Sequence, residues 1–232
     1  MQQELLFSSK EFKQLLGVSD CELMHMRVSG GLKFIKEGRA FLYKLHDKKL
    51  LLKHPLANQL INWYQEMHAI NLDNSPKESE SINSALLMIE TVLLPIKKKF
   101  GDINITYGFV SSELNKYIQK NSSSGTYPSI DQHAASELNN AENKICKRHG
   151  LACDFTVSGY EKKMDIVMQF IVNNLDFDKI YYYGESKPIH VSVGENAEKH
   201  LQIMNVSDKG RRIPGKKAFG NKAKALAEEQ IK

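Results

Sequence analysis

Apolar residues recur three and four positions apart in several stretches of the chain: Phe12, Leu15 and Leu16; Leu56, Leu60, Trp63 and Met67; Leu86, Ile89, Leu93 and Ile96; and Met164, Val167, Met168, Ile171 and Leu175. That spacing is one face of an α-helix. Ser112 to Ile118 continues as a helix, and Pro95 is expected to bend the helix that ends near it. Other runs are short, rich in β-branched and aromatic residues, and bounded by glycine or proline: Ile103 to Tyr107, Leu151 to Val157, Ile180 to Tyr183 and Ile189 to Val193. These predict strands, the last two forming a hairpin that brings Glu185 close to His190. Helices against a few-stranded antiparallel sheet make an α+β domain. No stretch repeats another.

The first seventy residues read differently. Ser8-Ser9 starts a helix, Gly17-Val18-Ser19 makes a tight turn, and Ser19 or Asp20 caps a second helix through Val28. Gly30-Gly31 ends it. Leu32 to Ile35 and Arg39 to Leu45 then predict two short strands around Glu37-Gly38. The amphipathic Leu56–His68 helix is expected to pack on this module or to pair two chains as a homodimer. Asn71 to Ser81 is polar and breaker-rich, so 73–81 is expected to be a linker. The expected organisation is a module over 1–72, a second domain over 82–207 and a basic tail over 208–232.

Composition and charge add a compartment and a possible partner. The apolar fraction of 41% is enough for a substantial core. No run is long enough to span a bilayer: the best, Ala85 to Leu94, contains Glu90 and meets Pro95. Met1-Gln2-Gln3-Glu4 lacks the pattern of a secretion signal. The three cysteines, Cys21, Cys146 and Cys153, are too few and too odd for a disulfide scaffold. Together these features give a cytoplasmic expectation. From Asp208 to Lys232 there are eight basic and three acidic residues, a surplus equal to the whole-chain net charge of +5. Such a tail suits a phosphate backbone or simple solvation.

The chemistry-bearing residues lie in three separate segments. His133 follows Asp131-Gln132, Asp154 lies in the Leu151–Val157 strand, and His190 lies in the Ile189–Val193 strand. Two imidazoles and a carboxylate are a common zinc set that leaves a fourth position for water. His149, next to Gly150, is a rival ligand, and Cys146-His149-Cys153 is a conceivable separate metal site. A helix-like insert is expected between His133 and His149. The Ser122-Ser123-Ser124-Gly125 run is expected to be a flexible loop placed as a lid.

The order of phrases around this set carries a resemblance. Leu94-Pro95-Ile96-Lys97-Lys98-Lys99-Phe100-Gly101 leads into Ile103–Phe109, then Ser111-Ser112-Glu113-Leu114-Asn115, then His133, Gly150-Leu151-Ala152-Cys153-Asp154, and Pro188-Ile189-His190. From Ile82 to Ile203 this resembles the zinc peptidases of the D-alanyl-D-alanine carboxypeptidase and hedgehog fold. The resemblance implies zinc at His133, Asp154 and His190, with a peptide or cell-wall D-amino-acid amide as substrate. It implies that Asp131, in place of the family's serine, orients His133 from the second shell of the metal. It also marks departures. Ala134 to His149 intervene between ligands that the family keeps close. The family's arginine is Val110, and Lys187 stands where its base glutamate stands. Glu185 is then the nearest acid for general-base work, and Lys187 a substitute for the absent positive charge.

Likewise, Ser9-Lys10-Glu11-Phe12 through Gly17-Val18-Ser19, with Gly30-Gly31-Leu32-Lys33-Phe34-Ile35-Lys36 and Gly38-Arg39, resembles excisionase and MerR-type winged helix-turn-helix modules. That resemblance implies that Glu22, His25, Met26 and Arg27 face a DNA groove while Lys33, Lys36 and Arg39 meet phosphates. Two functions follow from the whole chain. One is a zinc-dependent peptidase-like hydrolase tethered to DNA or a partner. The other is a non-catalytic DNA-binding regulator whose peptidase-like domain is a zinc-stabilised sensor or interaction surface.

Overall fold

A computed structural model describes residues 6–45, 48–121 and 132–230. Asp131 and the serine-rich run after Asn121 lie outside the described residues. Helices and strands are both present, an α+β composition. The chain divides into two compact units, Met1–Asn58 and Gln59–Lys232.

In the first unit, β1 (Leu6–Ser8) leads into α1 (Ser9–Leu16), and α2 (Asp20–Val28) follows. Ser8 and Glu11, then Ser19 and Glu22, form reciprocal capping boxes that satisfy the first amides of both helices. β2 (Lys33–Glu37) and β3 (Ala40–Lys44) form the expected hairpin. β1 adds on the far side of β3, giving a three-stranded sheet of order β1-β3-β2. Phe12 stacks on Tyr43 at 4.9 Å between ring centroids, and both are fully buried. α3 (Lys48–Leu51) closes this part.

α4 (Pro55–His68) carries the chain from one unit into the next. The boundary at Asn58 differs from the linker expected over 73–81. Gln59 onward belongs with the second unit because Leu60 and Trp63 bond to the backbone of Phe109. The stretch expected to be a linker is pinned by Asn74, a buried side chain with three hydrogen bonds to main chain. Polar composition suggested a spacer; the amide of Asn74 instead serves as an internal cross-brace.

The second unit continues with α5 (Ser79–Met88), a π-helical turn (Ile89–Leu93) and α6 (Leu94–Phe100). Pro95 can neither donate to the carbonyl four residues back nor tolerate its approach, and the widened turn just before it accommodates both restrictions. β4 (Ile103–Tyr107) and α7 (Ser112–Asn121) follow. Then come β5 (Leu151–Val157), α8 (Met164–Asn174), β6 (Lys179–Tyr182), β7 (Ile189–Val193), β8 (His200–Val206), β9 (Arg212–Phe219) and α9 (Asn221–Glu228).

The six strands form one sheet of order β4-β5-β7-β6-β8-β9. It is larger than expected and not wholly antiparallel, since β6 and β8 run parallel. The segment expected to be a basic tail supplies β9 and α9, and α9 buries Ala223, Leu226 and Ala227. Its small apolar residues at helical spacing were masked by the surrounding lysines.

Period-two alternation gives the sheet two chemically different faces. Leu151, Cys153, Phe155 and Val157 of β5, with Ile189, Val191 and Val193 of β7, Ile180 of β6 and Leu201 of β8, are buried. α5, α8 and α9 are helices in contact with these strands. The other face is polar. Tyr107, Asp154, His190, Tyr181, Gln202 and Lys217 are successive cross-strand partners, one from each of the six strands. No described helix is long and apolar enough to cross a membrane.

Candidate metal centre

Asp154 and His190 are direct partners on β5 and β7, so the pleat sends both side chains to the polar face. His190 Nδ1 lies 2.6 Å from Asp154 Oδ1. Gly150 permits the close start of β5 beside β7. Its φ is +106°, and an added Cβ would lie 1.8 Å from the Val193 carbonyl oxygen. Tyr181, opposite His190 on β6, stacks on the imidazole with centroids 4.8 Å apart and planes 18° apart.

His133 reaches the same point from an irregular segment. The insert after it is not a helix: it runs through turns with one isolated bridge, Leu138 to Lys144. This segment is fastened by its own polar groups. Gln132 accepts from the Ala152 amide and donates through its side chain to the His149 carbonyl. His133 O accepts from Val110 N at 2.9 Å. Glu137, almost fully buried, accepts from the Lys77 and Glu78 amides at the start of α5.

The ring of His133 is aimed by Gly108, whose carbonyl lies 3.1 Å from Nδ1. A carbonyl only accepts, so Nδ1 donates to it, and Nε2 lies 3.6 Å from Asp154 Oδ1. Gly108 is in turn fixed from below. A Cβ there would lie 2.2 Å from the Leu60 carbonyl oxygen, so only glycine allows this approach. Phe109 N donates to Leu60 O, Trp63 Nε1 and Asn74 Nδ2 donate to Phe109 O, and Ser111 N donates to Asn74 Oδ1. Tyr107 sets its ring against that of His133 at 4.5 Å, edge to face.

His133, Asp154 and His190 each offer one ligand atom, and these atoms lie within 4.8 Å of one another. Among the described residues this is the convergent group of histidine, cysteine and acidic side chains. Burial, above all, holds the His133 pKa down to about 4, with His190 adding to the effect and Asp154 opposing it. At neutral pH the ring is therefore neutral, the form that binds metal. Burial works against ionisation of Asp154, but the charge and hydrogen bond of His190, then the charge of His133, outweigh it and lower the carboxyl pKa. Burial and the neighbouring Asp154 push the Cys153 thiol well up, leaving it a protonated donor to Asp154 O.

Two imidazole nitrogens thus meet one carboxylate oxygen, a donor set that suits zinc. The edge of a tetrahedron with bonds of ~2.0–2.1 Å is about 3.3 Å. The 3.6 Å separation is near that edge, and the 2.6 Å one would have to open for an ion to be held by both atoms.

The other candidate residues lie apart from this group. His149 is exposed, with its ring near Lys144 Nζ. Cys146 and Cys153 are buried free thiols. Val110 is fully buried and presents no charge. Glu185 and Lys187 are both exposed in the β6–β7 turn, where Lys187 N donates to Gly184 O. Glu185 is close enough to Tyr182 to help raise its pKa, after burial and alongside Asp165. Tyr182 alternates with Tyr181, so its ring belongs to the opposite face of the sheet from His190. In the first unit His25, Lys33, Lys36 and Arg39 are exposed. Arg27 is engaged at home: it donates to the Tyr43 hydroxyl at 2.9 Å and lies 3.9 Å over the Phe41 ring.

Tyr107, Gly108, Asn74 and Tyr181 were not singled out from the sequence. Tyr181 was within reach, because pairing across the hairpin that contains His190 determines its neighbour. The others depend on long-range backbone bonds that leave no local pattern. Comparisons with family models, with curated proteins and with solved structures found no match for this chain.

Proposed function

We propose that residues 59–232 form a zinc-dependent hydrolase of the peptidase type, acting on a peptide or D-amino-acid amide bond. The convergence of His133, Asp154 and His190, with His133 held neutral by its burial, carries this reading. The resemblance from Ile82 to Ile203 supports the peptidase class. Zinc in such a set supplies Lewis acidity, polarising a carbonyl and acidifying water. His133, Asp154 and His190 would hold it, and Tyr107 and Tyr181 keep the two rings in orientation.

Amide hydrolysis also needs a group that takes the water's proton and gives it to the leaving amine. Glu185 is the carboxylate we assign to that task, and Lys187 the cation that draws in the substrate. Both belong to an exposed turn and must close on substrate to act. The N-terminal unit is proposed to bind DNA through Lys33, Lys36, Arg39 and His25, its exposed candidates. A cytoplasmic location is part of this reading.

The exposed position of Glu185, with its charge felt on the Tyr182 side of the sheet, favours a second reading. In it the domain keeps zinc as a structural or sensing element and the chain is a DNA-binding regulator. The two separate on one assay: cleavage of D-Ala-ended and ordinary peptides by wild type and Glu185→Gln, with zinc measured in parallel. The hydrolase reading expects turnover to fall by about a hundredfold in Glu185→Gln with zinc retained. Zinc-loaded wild type that cleaves neither class supports the regulator.

A further inference from the structure

Beyond the metal centre, the polar face of the sheet continues toward β9 as a second row of residues. Two positions along from the Asp154–His190–Tyr181 row lie Ala152, Ser192, Lys179, His200 and Phe219, again successive partners. Lys217, of the first row, is next to this group, paired with Gln202.

Three features mark this part of the face as a place for a ligand. Ser192 is completely buried on the face shared with His190, and its hydroxyl has no hydrogen-bond partner. The Nε2 atom of His200 is likewise buried and unpartnered, while its ring stacks on Phe219 at 4.3 Å. Lys179 Nζ lies 5.9 Å over the Tyr181 ring, which itself covers His190.

The electrostatics agree with the geometry. Burial first, and then the positive charges of Lys179 and Lys217, lower the His200 pKa, with Glu198 opposing and Arg148 adding. Arg148 is committed to Asp178, with Glu198 3.5 Å away. Two ammonium groups therefore bear on one half-buried imidazole, and an incoming anion would relieve their repulsion while giving Nε2 an acceptor.

We infer that Lys179, His200 and Lys217 form a subsite for an anionic group of the peptide substrate, reached across Tyr181 from the metal centre. This rests on the hydrolase reading for its substrate and deepens it. Adjacent strands lie about 4.8 Å apart and residues about 3.4 Å apart along a strand, so two strand steps from β7 to β8, with the offset of up to two residues between the rows, put the anion about 10–12 Å from His190. An extended peptide advances about 3.3–3.6 Å per residue, so that distance is about three residues. The α-carboxylate beside a C-terminal scissile bond is too close to reach it. The substrate is therefore a peptide with an acidic side chain or terminus about three residues from the bond that breaks, rather than a simple carboxypeptidase substrate.

The test is binding, read separately from cleavage. A fluorescein-labelled hexapeptide with one glutamate, and its glutamine twin, are titrated by anisotropy into the zinc-loaded full chain. Wild type should bind the glutamate peptide about tenfold more tightly, the scale of a charge-assisted hydrogen bond. Lys179→Ala/Lys217→Ala should abolish the preference, and His200→Gln should reduce it. Lys217→Gln, at an exposed position, keeps the test informative where the double variant fails to fold. An exposed lysine elsewhere, Lys162→Ala, should change nothing.

Equal binding of the two peptides by wild type, or a preference that survives in Lys179→Ala/Lys217→Ala, would overturn the subsite. So would loss of labelled duplex DNA binding in that variant with the peptide preference intact. A preference that is lost in the variant, without cleavage of any peptide, keeps the subsite and removes the hydrolase. Cleavage with no preference does the reverse.

Discussion

Two of the three residues in the candidate metal site are placed by a sheet, and the third is placed by a loop. Asp154 and His190 are cross-strand partners, so the register that buries Phe155, Ile189 and Val191 also sets the two ligands side by side. His133 has no such register. It depends on a relay of single hydrogen bonds that runs from Leu60, Trp63 and Asn74 through Phe109 and Gly108 to Nδ1. The sheet ligands share their stability with the whole core. The loop ligand can be disturbed alone, so the relay is where metal affinity and folding stability can be pulled apart.

The largest effects come from the two glycines that permit each arrangement. Gly150→Ala drives a Cβ into the Val193 carbonyl at a positive φ and must separate β5 from β7. Denaturant unfolding should register roughly 4 kcal/mol or more, with the sheet disrupted and the metal site lost together. Gly108→Ala pushes on Leu60 and Trp63 instead. Enough fold should survive at low temperature for zinc affinity to be measured, and it should drop by about 10–100-fold, the range for a lost partner of a metal-bound histidine. Equal zinc affinity in folded Gly108→Ala would show that the relay does not aim His133.

Acid separates the loop ligand from the rest. The fold favours neutral His133, whose pKa drops from the ordinary 6.5 to about 4 because of its burial. The resulting stabilisation is complete above about pH 6.5 and disappears as pH falls toward 4, roughly 3 kcal/mol in metal-free protein. Asp154, held below its ordinary value of 3.8, loses its contribution only at still lower pH. His54 in the first unit has the same sign as His133, with its pKa also brought to about 4 by burial. The difference between wild type and His133→Gln therefore isolates the loop ligand: the variant should lose less stability between pH 6.5 and 4. Parallel pH profiles would contradict a buried neutral ring.

Asn74→Ala is the milder break. It removes two donors and one acceptor at the base of the relay and leaves Ser111 N without its acceptor. Chemical unfolding should show a loss of roughly 2–3 kcal/mol, with a smaller fall in zinc affinity than Gly108→Ala. A larger fall than in Gly108→Ala would reverse the order of the relay.

The same division explains what could be read in the sequence. The bounds of β5 and β7 follow from alternation, and Asp154 and His190 with them, because period-two burial is a local signal. The choice of His133 as a candidate ligand came from the order of phrases, but its structural support was not legible there, because Asn74 and Gly108 act through backbone contacts far along the chain. The Asn71–Ser81 stretch looked like a linker for the same reason: polar composition does not distinguish a solvated spacer from a satisfied internal brace. In 208–232 the lysines of β9 and α9 hid a strand and a helix whose apolar content is mostly small. Arg27 carries a related lesson, since a cation on a helix next to aromatic strands is as well suited to Phe41 and Tyr43 as to a phosphate.

The central claim is that the two kinds of placement converge on one zinc ion. Protein purified without chelators and measured by inductively coupled plasma mass spectrometry should carry one zinc per chain. His133→Ala, Asp154→Ala and His190→Ala should each lose it, while His149→Ala keeps it. Wild type without stoichiometric metal, or His149→Ala empty while His133→Ala stays loaded, would contradict the account.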